Sequence, residues 1–278
     1  MESGINLVCK IGSTALLNRD RTDIEEDIFG NICANLNSDD VLVTSGAVEI
    51  GKIAARQNNP DGYDESVFAN ADFASIGQGI LIGKYQQHFD RLKRQMLVKQ
   101  ILIEHCHFND DEKREHIKHR ILSSRFQQAL AVINYNDAVD SAEIRNYEIA
   151  KINEQKGMAF GGIDNDETAT EVAKLVAAKR LLILTERSGI YENVLDESSL
   201  VREIKGAGID NTVQKLKEAQ RYCNGASRVG ANGAGAKLEH VINAIKGGVK
   251  EIFIASSRCD IGDILRGRAD STYICCNS

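Results

Sequence analysis

Short apolar runs that stop abruptly at small, hydroxyl, amide or acidic residues recur along this chain, and between them apolar residues return at helical spacing. That alternation constrains the chain to a mainly parallel α/β sheet. The sharpest case is AVINYNDAVDSAEI, Ala131 to Ile144, where three apolar residues run into Asn134-Tyr135-Asn136-Asp137. A buried strand of this kind delivers polar groups to its C-terminal edge, where open α/β sheets bind ligands.

The other runs end similarly. Ile5 to Ile11 (INLVCKI) carries Lys10 and leads into Gly12-Ser13-Thr14. A lysine inside a strand is costly to bury unless an anion meets it. Small residues just after it let backbone N–H groups approach a phosphate. Val41-Leu42-Val43 closes at Thr44-Ser45-Gly46-Ala47, before a helical pattern of Val48, Ile50, Ile53 and Ala54. A Ser-Gly turn at a helix N-terminus suits an anion; the plainer role for Ser45 is the N-cap. Met96 to Ile103, Leu181 to Leu184 (ending at Thr185-Glu186) and Glu251 to Ser256 read as further strands.

Helices fill the intervals. Thr22 and Glu25 have capping-box spacing, and Ile24, Ile28, Ile32 and Leu36 then recur at four-residue steps. Residues 66–92 read as one or two helices, in which Gly77, Gly79 and Gly83 signal close packing or a break. Residues 110–128 read as a charged helix with His116 and His119 facing solvent. Asp164, Asn165, Asp166 and Glu167 precede the helix from Thr168 to Lys179, where the helix dipole favours carboxylates. Such groups also hold Mg²⁺ or orient lysines. Asp210 to Cys223 is another helix, and Gly230 to Lys237 is a small-residue loop ending in lysine at a helix start. The tail beyond Gly267 reads as short and polar.

Several classes are disfavoured. With 34 basic and 40 acidic residues the net charge is -6, so no general attraction to nucleic acid or membrane is expected. The chain lacks an apolar run long enough to span a bilayer, and Met1-Glu2-Ser3-Gly4 does not read as a signal peptide. Seven cysteines without a CxxC spacing point to buried free thiols in a reducing cytosol. Glu104-His105-Cys106-His107 offers metal-binding residue types, but neighbours on a strand point to opposite faces, and no metal site is expected there. Neither GxSxG, nor GxGxxG after the first strand, nor a Walker A ending is present.

Read together, Lys10-Ile11-Gly12-Ser13, Val43-Thr44-Ser45-Gly46-Ala47, Ala74-Ser75-Ile76-Gly77-Gln78, Ile133-Asn134-Tyr135-Asn136-Asp137, Asp164-Asn165-Asp166, Leu184-Thr185 and Gly230 to Lys237 resemble, in order, the motifs of the amino acid kinase family. Within it they are most similar to the glutamate 5-kinase branch. The resemblance implies a three-layer αβα sandwich around a mainly parallel open sheet. It implies one kinase domain over 1–278, with a substrate-binding part to about 165, a nucleotide-binding part from about 166, and no PUA domain. The implied reaction is transfer of the ATP γ-phosphoryl group to the side-chain carboxylate of L-glutamate, the first step of proline biosynthesis, with Mg²⁺ brought by ATP.

By position, Lys10 and Lys237 would neutralise the phosphoryl group and Asp166 would orient them. Ser45, Gly46, Asn134, Asp137 and Asn165 would hold the amino acid. Lys10, Gly12, Ser13, Thr185, Glu186, Gly230, Ala231, Asn232, Gly233, Ala234, Gly235, Ala236 and Lys237 would line the nucleotide site. Small-molecule partners, a cytoplasmic location and a homodimer or homotetramer are implied, with neither nucleic acid nor membrane as partner. Tyr135 stands where the family carries an acidic residue, and Glu186 where it carries Asp. A relative acting on another acid, or a non-catalytic nucleotide- or amino-acid-binding regulator, are the alternatives.

Overall fold

The computed structural model describes residues 4–104, 106–139, 165–193, 195–223 and 234–277. They form two compact units, Ile11–Asn165 and Met1–Lys10 with Asp166–Ser278.

In the Ile11–Asn165 unit, β2 (Asp40–Val43), β3 (Leu97–Ile103) and β4 (Ala129–Tyr135) form parallel pairs around a central β4. The registers run from Val41↔Ala131 to Val43↔Ile133 and from Leu97↔Ala129 to Ile103↔Tyr135. Every residue of β4 is buried, which explains the apolar run from Ala129 to Ile133. The helices are α1 (Glu26–Asn35), α2 (Ala47–Asn58), α3 (Asn70–Arg91), the single turn α4 (Cys106–Asn109) and α5 (Asp111–Leu122).

Two expectations change here, and one that was left open is decided. The first helix starts at Glu26, because residues 18–24 fold into a turn around Asn18, whose Oδ1 accepts from Thr22 N–H at 2.9 Å. Residues 66–92 hold one long helix preceded by a short 3₁₀ turn, and α3 is not broken by its glycines. A Cβ on Gly77 would lie 1.8 Å from the Ala47 carbonyl oxygen, and one on Gly51 1.9 Å from that of Phe73, whereas Gly79 and Gly83 meet nothing. Two of the four glycines therefore let α2 and α3 touch backbone to backbone. The charged helix ends at Leu122 and passes into a 3₁₀ turn; His116 and His119 are exposed on it.

The other unit contains β1 (Leu7–Ile11, apart from its last residue), β5 (Arg180–Thr185), β6 (Glu203–Ala207), β7 (Glu251–Ser256) and β8 (Ser271–Asn277), in the order β1-β5-β7-β8-β6. β5 and β7 are parallel, β6 and β8 are parallel, and β7 and β8 are antiparallel. Its helices are α6 (Asn165–Leu175, from its second residue), α7 (Ile209–Cys223), α8 (Ala234–Lys246) and α9 (Ile261–Leu265). The tail read as polar is thus a strand. Ile274 is buried and Thr272 Oγ1 donates to the Val201 carbonyl at 2.6 Å, so its polar residues are satisfied inside the sheet. No described helix is long and apolar enough to cross a membrane.

Candidate active site

Lys10 sits in the all-buried β1, and Asp166 occupies the first turn of α6. Lys237 lies in the first turn of α8. The fold brings these three together around the carboxylate. Lys10 Nζ pairs with Asp166 Oδ1, and Lys237 Nζ lies 3.8 Å from Oδ2. The side chains of Lys10, Asp166 and Lys237 are 10%, 4% and 24% exposed, so the cluster is shielded on its Lys10 side and more open at Lys237. Burial by itself raises the Asp166 carboxyl, but the charge and hydrogen bond of Lys10, then Lys237 and His240, outweigh it and hold the group below the usual carboxylate range.

Around the carboxylate, Thr170 Oγ1 donates to the Asp166 carbonyl at 3.0 Å, and approaches the His240 carbonyl at 3.4 Å. His240 follows Lys237 by three residues on α8, the spacing that puts two side chains on one helix face. That spacing is legible in the sequence; the approach of His240 to Asp166 is not. Thr185 ends β5, where its hydroxyl donates to the Arg187 carbonyl at 2.6 Å and accepts the Arg187 N–H at 3.0 Å; Glu186 beside it is exposed. Ala234 to Lys237 open α8, with the Gly235 carbonyl accepting from Gln220 Nε2 at 3.1 Å. Gly230, Ala231, Asn232 and Gly233 lie outside the described residues.

The Ile11–Asn165 unit gathers the second group. Ser45 follows β2 and is buried; Gly46 is the N-cap of α2 with φ 103°, a left-handed conformation that favours glycine. Gly46, not Ser45, therefore caps this helix. A Cβ there would lie 3.1 Å from Leu16 Cδ1 and 3.7 Å from Ser13 Cα, so the Gly12-Ser13 turn packs beside the Ser45-Gly46 turn.

Asn134 is fully buried at the end of β4. Its Oδ1 accepts the Tyr135 N–H at 2.9 Å and its Nδ2 donates to Gln78 Oε1 at 2.7 Å. Asp137 is half-buried in the turn beyond, and Tyr135 is buried. Asn136 donates from Nδ2 to Glu104 Oε1 at 2.7 Å, tying the ends of β4 and β3 together. Asn165 opens α6, and its Oδ1 is buried without a hydrogen bond among the described residues. Gln78 belongs to a segment legible as a family motif, yet nothing in the sequence pointed its side chain at Asn134.

Two lysines thus share one buried carboxylate, at the end of a strand and the starts of two helices, which concentrates positive charge at one place in the fold. The model of the amino acid kinase family matches residues 6–256, and the chain belongs to that family. It is 28% identical to glutamate 5-kinase 1 of Bacillus subtilis over 96% of this chain and 68% of that protein. It is 29% identical to the glutamate 5-kinase of Streptomyces avermitilis, over 96% of this chain and 66% of that one. The chain thus spans about two thirds of the length of these relatives.

Among solved structures it resembles carbamate kinase from Giardia lamblia bound to AMP-PNP, with a TM-score of 0.61 at 16% identity over 100% of both chains. It also resembles an isopentenyl phosphate kinase in its substrate complex, with a TM-score of 0.58 at 14% identity over 97% of this chain and 99% of the other. These likenesses show the three-layer αβα fold around a mainly parallel sheet.

Proposed function

We propose that the protein transfers the γ-phosphoryl group of ATP to the side-chain carboxylate of L-glutamate, giving γ-glutamyl phosphate and ADP, the first step of proline biosynthesis. The observation that carries the reading is the Lys10–Asp166–Lys237 cluster. Phosphoryl transfer asks little covalent chemistry of a protein; it asks for positioning and for positive charge where the equatorial oxygens gain negative charge. Asp166 holds both ammonium groups, and the shielding of Lys10 strengthens its field. An acceptor carboxylate is already ionised, so the step requires no general base.

In this reading Ser45, Gly46, Asn134, Asp137 and Asn165 hold the amino acid. Gly12 and Ser13, Thr185 and Glu186, and residues 230–237 serve the nucleotide. The substrate part is then the chain to about 165 and the nucleotide part the rest. Among the described residues, no three His, Cys, Asp or Glu side chains come together to hold a metal ion. The Mg²⁺ that accompanies ATP would be held largely by the phosphates. The glutamate 5-kinase names of relatives aligned over 96% of the chain support glutamate as acceptor. Buried Tyr135 favours a second reading, in which a related kinase takes a different acid.

The test is incubation with Mg-ATP, a panel of amino acids and hydroxylamine, which traps an acyl phosphate as its hydroxamate. Hydroxamate from glutamate is expected. Signal only from another acid moves the assignment to the second reading, and no signal from any acid rejects carboxylate phosphorylation. Lys237→Ala is expected to lower kcat by roughly 100-fold or more, as removal of a charge-stabilising donor does.

A further inference from the structure

We infer that Gln78 is an acceptor-binding residue, presenting its side-chain amide nitrogen to a carboxylate of the amino acid. The inference rests on the acceptor role proposed for Asn134 and Ser45. Its starting point is a chain of hydrogen bonds that can run only one way. Asn134 Oδ1 accepts the Tyr135 backbone N–H at 2.9 Å. A backbone N–H cannot be received by an amide NH₂, so the Asn134 amide cannot be turned round. Its Nδ2 therefore faces Gln78, at 2.7 Å, and only the oxygen of the Gln78 amide can receive it. The Gln78 amide is oriented in turn, with Nε2 directed away from Asn134.

Gln78 Nε2 is buried, and no protein group among the described residues accepts from it. Buried amide hydrogens left unmet are costly, and such groups concentrate where a ligand completes the bonding. The place is right for one. The α3 backbone at Gly77 lies against the first turn of α2, with a Gly77 Cβ only 1.8 Å from the Ala47 carbonyl oxygen and 2.5 Å from Gly51 N. Ser45 and Gly46 immediately precede that turn. β2 and β4 are parallel neighbours in the register Val43↔Ile133, so Asn134 and the Thr44-Ser45 turn leave adjacent strand ends together. Gln78 joins these segments, and what it offers there is a neutral donor of two hydrogens. A carboxylate oxygen fits that donor; an ammonium group does not.

The experiment compares Gln78→Glu with the wild type. The substitution keeps the shape and an oxygen for Asn134 Nδ2, but puts an acceptor where the donor was. With glutamate as acceptor, a KM for glutamate about 10- to 100-fold higher is expected, the range for a hydrogen bond to a charged group. The KM for ATP and the melting temperature are expected to stay unchanged. Gln78→Leu, which removes both polar atoms, should also weaken glutamate binding in calorimetry without nucleotide.

A glutamate KM and affinity equal to the wild type in both variants overturns the inference. So does an equal loss for glutamate and ATP with a lowered melting temperature, which marks a structural role. If the wild type phosphorylates another acid, glutamate is the wrong acceptor, and the same comparison with that acid still decides the role of Gln78. If the wild type binds none of the acids, both readings fall.

Discussion

Asp166 has two dependents. One of its oxygens pairs with Lys10 and the other faces Lys237, and it is nearly inaccessible to solvent. Asp166→Asn would leave Lys10, itself largely buried, with a neutral partner. Breaking a buried pair from one side costs about 3–5 kcal/mol. The variant is expected to lose stability of that order in chemical denaturation and to lose turnover as well. A stability loss below about 1 kcal/mol would show that Lys10 finds other compensation. Lys10 and Asp166 were legible as candidates because a lysine in an apolar strand and a carboxylate at a helix start each demand an explanation. Their pairing is implied only by the family resemblance, since 155 intervening residues carry no local signal of it.

At the scale of elements, α3 shows what a periodicity argument can and cannot resolve. Its glycines look alike in sequence and differ entirely in surroundings. Gly77→Ala forces a Cβ into the Ala47 carbonyl, and is expected to destabilise by about 1–3 kcal/mol despite alanine's better helix propensity. Gly83→Ala meets nothing within 4 Å and is expected to stabilise by about 0.5–1 kcal/mol. Thermal melts of the two variants moving in the same direction would refute this account of the α2–α3 contact. The strand elements followed burial. β4 was readable because it is buried throughout. β6, with exposed and buried residues alternating over only five positions, gave too short a pattern to separate from a loop. The capping-box spacing at Thr22 misplaced the start of α1 because Asn18 draws that backbone into a turn instead.

At the scale of the molecule, acid sensitivity follows from groups held ionised by their neighbours. Lys84 hydrogen-bonds Glu26; His88 Nε2 lies 2.7 Å and Arg91 Nη1 3.2 Å from the same carboxylate, linking α1 to α3. The Lys84 hydrogen bond, partly opposed by burial and reinforced by His88, brings Glu26 down to about 2. A carboxyl lowered on folding contributes stability above its ordinary value of 4.5 and loses it as pH falls toward about 2. The melting-temperature difference between the wild type and Glu26→Gln is therefore expected to be full near pH 7 and to shrink below about pH 4.5. A difference independent of pH would assign the effect to packing.

The sequence by itself determined the alternation of strand and helix, the buried strands, the strand-end turns and the residue types a phosphoryl-transfer site needs. All of these rest on local spacing or on the cost of burying a polar group, which is encoded within a few residues. Only the tertiary structure decided which oxygen of Asp166 each lysine faces, which glycine is a contact and which a spacer, and that Gln78 faces Asn134 with its oxygen. Those outcomes depend on atoms brought within a few ångströms from distant parts of the chain. For Gln78 the deciding atom is a backbone N–H, a group every residue but proline carries and no sequence pattern can single out.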